Sequence, residues 1–201
     1  GDAAAAYDEL RRQVEVAPLP GSSGLTLGPT ELATAAIMTG YSSNLWPSFI
    51  SGLDRGLSGD GSGLTELAAR YWRLVDFDAY TSVVCLDGAH PTNGPDYAAF
   101  ADRLGAVSPR FGEAIANELS PCASWPAAPR ATPGIITGTG SPPVLVVGTT
   151  GDPATPYADA VRVAGQLENG VLLTHRGDRH IAYGRSGCAT QIVDTYLLSL
   201  E

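Results

Sequence analysis

Basic residues, cysteines and long apolar runs are all scarce in this 201-residue sequence. Its 12 basic residues, all arginine, are outnumbered by 21 acidic ones, and the formal net charge is −9. This balance disfavours nucleic acid and anionic membrane surfaces as partners. No apolar run approaches the roughly 20 residues that cross a bilayer, so no membrane span is predicted. The first residues show no signal-peptide pattern, and we expect any targeting segment to lie outside the sequence.

The three cysteines, Cys85, Cys122 and Cys188, have no CxxC spacing, which argues against a zinc site. Two of them can form one disulfide, and the third is then either a buried thiol or the partner of a cysteine outside the chain. A metal site built from His175, Asp178 and His180 is not expected, because their spacing does not place them on one helical face. The sequence predicts no cofactor.

Hydrophobic periodicity predicts a chain that is helical to about residue 120 and β–α–β–α at its end. A connection rich in Pro, Gly and Thr separates the two parts. We therefore expect a mainly helical region at 1–126, a connection at 127–143 and a C-terminal part at 144–201.

Local signals also predict particular elements in the helical region. The β-branched run Thr81–Asp87 is typical of a strand, and Asp96 and Ser108-Pro109 are typical helix starts. Apolar residues at helical spacing predict buried faces. These faces are Trp46, Phe49, Ile50, Leu53 and Leu57; Leu64, Leu67, Ala68 and Tyr71; Tyr97, Phe100 and Leu104; and Phe111, Ile115 and Leu119.

The segment from Val144 to Cys188 carries the residues with catalytic potential. Two apolar runs, beginning at Val144 and Val171, predict strands joined by a helix, and the loops that follow them carry Asp152 and His180. Parallel strands joined by such a crossover end at one sheet edge, where open α/β sheets bind their ligands. We therefore expect Asp152 and His180 at that edge.

Thr155-Pro156 predicts the start of the intervening helix, and free amides there can hydrogen-bond the Asp152 carboxylate. A carboxylate held in this way can orient a histidine ring and stabilise its protonated form, as the acid of a Ser-His-Asp triad does. Taken alone, Asp152 could be a turn residue after Gly151, and His180 could be a surface histidine. The presence of both residues at two strand ends is a more specific indication of a catalytic site than either residue alone.

The segment from Val144 to Cys188, with the later Asp194–Leu197, resembles the C-terminal end of tripeptidyl aminopeptidase-like α/β-hydrolases, which are secreted bacterial serine peptidases and their relatives. Asp152–Pro156 matches the family's Asp-Pro-x-Thr-Pro core, and Tyr157 continues the likeness. The family's catalytic histidine usually follows glycine, whereas His180 follows Arg179. Further upstream, three parts of the chain resemble the family's helical cap and the return from it: Tyr41–Ser43 with Trp46-Pro47, Cys85–Asp87, and Cys122–Pro126.

The resemblance implies the α/β class and the C-terminal part of an α/β-hydrolase, with a helical cap and the final parallel β-α-β-α edge of the sheet. It makes Asp152 the triad acid, oriented by Thr155, and His180 the general base. It also implies a disulfide between Cys85 and Cys122 in the cap, and a partner for Cys188 outside this chain. The protein would be secreted or associated with the cell envelope.

The resemblance further implies a peptide substrate for the complete enzyme. An aminopeptidase needs a negative group to hold the free amine of its substrate. Asp76, Asp78 and Asp87 are weak candidates for that group, and the alternative is that they are helix-end or surface acids.

No Gly-x-Ser-x-Gly nucleophile motif occurs in the 201 residues. In α/β-hydrolases the nucleophile precedes the acid and the histidine. We therefore expect the serine and the oxyanion-hole amides upstream of residue 1, so that this chain alone is inactive. Three alternatives remain: one half of a two-chain enzyme with the serine-bearing part still bound, a non-catalytic binding module with a hydrolase-like form, or part of an esterase, because the same triad serves both chemistries.

Overall fold

The structure, a computed structural model, describes residues 2–129 and 134–199. The chain forms two compact units. The first, here called the helical unit, consists of Gly1–Met38 and Trp46–Pro133, and the second, the C-terminal unit, of Thr39–Leu45 and Gly134–Glu201. Residues 130–133 of the expected connection lie outside the described residues. None of the described helices has the length and hydrophobicity needed to cross a membrane.

Seven α-helices and one short antiparallel hairpin are described before residue 120. They are α1 (Ala3–Val16), β1 (Leu19–Pro20), β2 (Thr26–Leu27), α2 (Pro29–Gly40), α3 (Trp46–Leu57), α4 (Ser62–Leu74), α5 (Phe77–Asp87), α6 (Gly94–Val107) and α7 (Gly112–Glu118).

The core of the helical unit is built from leucines on facing helices. α1 buries Tyr7, Leu10 and Val14, which share one face of the helix. The predicted face of α4 is confirmed, because its four apolar residues are all buried. Leu10, Leu53 and Leu64 belong to the most deeply buried set and are each at most 1% exposed.

The face predicted for α3 is wrong in most of its members. Trp46 and Ile50 are about half exposed, at 47% and 49%, and the helix instead buries Leu53 with Gly52 and Gly56. A Cβ on Gly56 would lie 2.6 Å from Cδ2 of Leu10. The glycines allow α1 and α4 to approach the α3 backbone. The buried face of α3 is therefore centred on glycines, which a search for periodic hydrophobic residues does not detect.

The strand predicted at Thr81–Asp87 is wrong, because these residues form the second half of α5. The Asp76 side chain caps this helix by accepting a hydrogen bond from Ala79 N at 3.1 Å. Cys85 is buried and forms a disulfide with Cys122. Tertiary contacts and a good cap therefore override the moderate strand preference of Thr and Val.

Two predicted helix starts are also wrong. Asn93 caps α6, with its Oδ1 accepting from Asp96 N at 3.0 Å, so Asp96 lies inside the first turn. Ser108 ends α6, and α7 begins only at Gly112. In the turn between them Gly112 N donates to the Ser108 carbonyl at 2.8 Å. The two helices approach closely there, because a Cβ on Gly112 would collide with the Leu104 carbonyl.

The C-terminal unit contains the predicted β–α–β–α order. Its elements are β3 (Val144–Thr149), α8 (Tyr157–Gln166), β4 (Gly170–His175) and α9 (Gly187–Ser199). The two strands are parallel, and their register runs from the pair Val144–Gly170 to the pair Thr149–His175. A Cβ on Gly148 would lie 2.7 Å from Cβ of Ala160. Helix α8 therefore packs tightly on β3. The parallel pairing of β3 with β4 brings the loops that follow both strands to one edge of the sheet.

Candidate active site

The loops that follow β3 and β4 continue the pairing of the strands. Thr150 N donates to the His175 carbonyl at 2.9 Å, and Gly151 N donates to the Gly177 carbonyl at 2.8 Å. A Cβ on Gly151 would lie 2.7 Å from an Asp178 carboxylate oxygen and 2.9 Å from the Gly177 carbonyl oxygen. Only glycine fits between the two loops without displacing one of them, and this close approach sets the position of Asp152.

The Asp152 carboxylate lies at the centre of the site and its side chain is 4% exposed. Its Oδ1 atom accepts hydrogen bonds from Ala154 N and Thr155 N, each at 2.9 Å. Ile181 N approaches Oδ2 at 3.4 Å. The prediction that backbone amides of this loop bind the carboxylate is therefore confirmed.

His180 completes the pair that the sequence predicted. Its Nδ1 atom lies 3.0 Å from both carboxylate oxygens of Asp152. An imidazole held through Nδ1 directs Nε2 away from the acid, as a general base requires. The His180 side chain is 25% exposed, so the ring is held on one side and accessible on another.

Burial and hydrogen bonding act on the Asp152 carboxyl in opposite directions. Burial raises its pKa, and the amides of Thr155 and Ala154 and the His180 ring lower it. The hydrogen bonds prevail, so the pKa of Asp152 lies below its ordinary value of 3.8. The acid is therefore ionised at neutral pH and can stabilise a protonated imidazole.

Thr155 contacts both residues of the pair, but the helix that follows it begins later than predicted. Helix α8 begins at Tyr157 with Pro156 at its cap position, and no side chain caps it, so the predicted start at Thr155-Pro156 is one residue too early. The proline ring offers no oxygen to accept from the first helical amides, and the Thr155 hydroxyl is not used as a cap. That hydroxyl instead donates a hydrogen bond to the Asp152 carboxylate, which helps to lower the pKa of Asp152. It also lies 3.5 Å from His180 Nδ1, at the limit of a hydrogen bond.

Two further residues lie next to His180, and the sequence did not assign either of them to the site. The Tyr41 and His180 rings contact each other edge to face, with their centroids 5.3 Å apart and their planes at 84°. Ile181 has a backbone φ of 69°, a left-handed conformation that β-branched residues rarely adopt. No local signal predicts either feature, because Tyr41 is remote in sequence and glycine or asparagine is the usual mark of a left-handed residue.

The other singled-out residues lie elsewhere. Asp76, Asp78 and Asp87 are exposed residues at the two ends of α5, and their role in amine binding stays a prediction. Cys188 is an exposed free cysteine. Within residues 2–129 and 134–199, no group of three or more His, Cys, Asp or Glu side chains is arranged to hold a metal ion.

Comparison with known proteins adds independent information. Residues 108–201 match the family model described as TAP-like protein. The chain is 31% identical to the serine protease Hip1 of Mycobacterium tuberculosis over 86% of the chain. It is 29% identical to the tripeptidyl aminopeptidase of Streptomyces lividans over 99% of the chain, and 33% identical to carboxylesterase B of Mycobacterium tuberculosis over 91%. These alignments cover 35%, 39% and 38% of the relatives, so the chain spans little more than a third of their length.

Proposed function

Because residues 108–201 belong to the TAP-like family of α/β-hydrolases, we propose that this chain is the C-terminal portion of a serine peptidase. In this proposal residues 1–126 form a helical cap, residues 127–143 a connection, and residues 144–201 the final part of the hydrolase core. The complete protein is an aminopeptidase that releases short peptides, and Asp152 and His180 are two of its three triad residues.

The observation that carries the proposal is the Asp152–His180 pair at two adjacent strand ends. With Nδ1 hydrogen-bonded to Asp152 at 3.0 Å, Nε2 of His180 takes the proton of the serine hydroxyl as the serine oxygen bonds to the scissile carbonyl carbon. The imidazolium then gives that proton to the leaving amine as the carbon–nitrogen bond breaks. Asp152 stays ionised and stabilises the imidazolium, in agreement with its lowered pKa.

The nucleophile and the oxyanion-hole amides are proposed to lie in a preceding part of the polypeptide. The sequence has no Gly-x-Ser-x-Gly motif, and its relatives are more than twice as long. The surface of the C-terminal unit supports the same view, because parallel sheets are normally covered on both faces. Val171 on β4 is 50% exposed and Leu197 on α9 is 64% exposed, as expected if further strands and helices cover them.

The disulfide supports a location outside the cytoplasm. Disulfides persist in oxidising compartments and are rare where thiols are kept reduced. The Cys85–Cys122 bond therefore supports secretion or attachment to the cell envelope.

The test is covalent labelling with a fluorophosphonate probe, which reacts with activated serines. We expect no labelling of the 201-residue chain and stoichiometric labelling of a longer polypeptide that carries the serine. Labelling of the short chain would overturn the placement of the nucleophile. Intact mass and a search for a co-purifying partner distinguish a two-chain enzyme from a single polypeptide.

An esterase is the second candidate, since one relative is named carboxylesterase B and is 33% identical. The same triad cleaves esters and amides. Comparison of kcat/KM for tripeptide-releasing, single-residue-releasing and simple ester substrates decides between them. A complete polypeptide that hydrolyses none of these would favour the binding-module alternative.

A further inference from the structure

A cavity of about 450 Å³ lies within the helical unit. This volume falls in the range of small-molecule sites. Three aromatic residues of α4 and α5 contribute to its wall, namely Tyr71, Trp72 and Phe77, together with the carboxylate of Glu118 at the end of α7. The Tyr71 and Phe77 rings contact each other edge to face, with centroids 5.9 Å apart. The cavity therefore combines an aromatic wall with an acid.

Two arginines also line the cavity, but both are bound by other carboxylates. Arg11 pairs with Glu15 at 2.8 Å and with Glu113 at 3.2 Å. Arg110 donates two hydrogen bonds of 2.8 Å to Asp8. Within the part of the chain that the structure describes, Glu118 forms no ion pair with an arginine or histidine.

Two tyrosine hydroxyls hydrogen-bond the Glu118 carboxylate. Tyr71 donates to Glu118 Oε1 at 3.5 Å, and Tyr80 is a second hydroxyl donor. Burial raises the pKa of the Glu118 carboxyl, and these two hydroxyls offset that effect only in part. Partial burial disfavours the charged form of a carboxylate, and a bound cation would stabilise that form.

We infer that this cavity binds a primary ammonium group carried on an apolar body, with Glu118 pairing with the ammonium and the aromatic wall contacting both parts of the ligand. A cation in this position would be stabilised by a cation–π interaction with the aromatic face and by a charge-assisted hydrogen bond to the partly desolvated carboxylate. The inference concerns binding alone, so its outcome is independent of the proposed hydrolase activity.

The test is titration calorimetry of the protein with phenethylammonium and with neutral N-acetylphenethylamine. We expect saturable binding of the cation and binding at least about tenfold weaker for the neutral compound, because the neutral compound cannot form an ion pair with Glu118. A tenfold loss corresponds to about 1.4 kcal/mol. This comparison requires no variant. Equal binding of the two compounds, or no saturable binding of the cation, would overturn the inference.

Variants then locate the carboxylate. Glu118→Gln keeps the shape and an acceptor for the tyrosine hydroxyls, and we expect it to weaken phenethylammonium binding about tenfold or more. The matched control is Glu113→Gln, since Glu113 lines the same cavity but is paired with Arg11 and is largely exposed. If Glu118→Gln binds the cation as tightly as the parent does, the assignment to Glu118 is wrong.

A third ligand identifies the source of the ammonium group. A tripeptide amide with a free N-terminal phenylalanine presents the same chemistry on a peptide, and its N-acetylated form does not. If the free peptide binds and loses affinity in Glu118→Gln, the natural ligand class includes peptide N-termini. If only phenethylammonium behaves in this way, the ligand class is small amines.

Discussion

His180 Nδ1 lies at the same distance, 3.0 Å, from both carboxylate oxygens of Asp152. Two backbone amides from the loop before α8 also donate to Oδ1. The acid is thus held by its own loop as well as by the histidine, and its orientation does not depend on the imidazole alone. The arrangement predicts that the proposed catalytic role of Asp152 is separable from its role in folding.

Replacement of Asp152 by asparagine should therefore reduce kcat far more than stability. The asparagine side chain can still accept from the two amides, but it presents an amide group to Nδ1 and favours the wrong tautomer of His180. We expect kcat of the complete polypeptide to fall about 10³- to 10⁴-fold. Asp159→Asn, in the first turn of α8 and exposed, is the control and should leave kcat nearly unchanged. Similar losses in both variants would remove Asp152 from the triad.

Stability should depend on pH through the same carboxyl. The pKa of Asp152 is lower in the folded protein than its ordinary value of 3.8, so the unfolded chain binds the proton more readily. The stabilisation from Asp152 is then fully present well above pH 3.8 and is lost as the pH falls through the folded pKa. Urea unfolding of the parent and of Asp152→Asn at a series of pH values checks this. The difference in unfolding free energy should be constant near neutrality and change in favour of the variant below about pH 4.

The disulfide should contribute substantially to the stability of the helical unit. It joins residues that are 37 positions apart, and the loop-entropy model gives about 4 kcal/mol for a loop of this length. We expect Cys85→Ser combined with Cys122→Ser to lower the unfolding free energy by an amount of that order. Cys188→Ser should have little effect because Cys188 is exposed and free. Equal unfolding of the double variant and the parent would show that the disulfide does not form.

The glycine face of α3 predicts opposite effects of one substitution at two sites. In Gly56→Ala the new methyl group would lie 2.6 Å from Cδ2 of Leu10, and overpacking of this kind costs about 1–3 kcal/mol. In Gly105→Ala, within α6, nothing lies within 4 Å of the new methyl group, and helix propensity should stabilise the protein by about 0.5–1 kcal/mol. Thermal or urea unfolding of both variants measures the contrast. Stabilisation by Gly56→Ala would contradict the close packing of α1 on α3.

The sequence was most informative where the structure depends on local pattern. The β–α–β order and the placement of Asp152 and His180 at strand ends follow from two apolar runs and a short loop, and the structure reproduces them. Helix α5 and the buried face of α3 were mispredicted because a disulfide and two glycine contacts decide them, and these link distant segments. The Tyr41 contact and the Glu118 cavity were not predicted for the same reason, because each depends on residues that are far apart in sequence.

The conformation of Ile181 gives a prediction that joins the site to its stability. Its φ of 69° costs an isoleucine on the order of 1 kcal/mol or more, whereas glycine adopts it freely. This backbone turn follows His180 directly and brings Ile181 N to 3.4 Å from Asp152 Oδ2. The strained residue therefore lies where the histidine and the acid are brought together. Ile181→Gly should raise the unfolding free energy or leave it unchanged, in spite of the lost side chain, which is 53% exposed.

The matched control is Ile192→Gly, because Ile192 is 40% exposed and lies in α9, where a glycine costs about 1 kcal/mol. Urea unfolding should separate the two variants by about 1–2 kcal/mol in favour of Ile181→Gly. If both lose the same stability, the left-handed conformation carries no strain. If Ile181→Gly is the more stable of the two but lowers kcat of the complete polypeptide, the stiff residue after His180 serves to hold the imidazole rather than the fold.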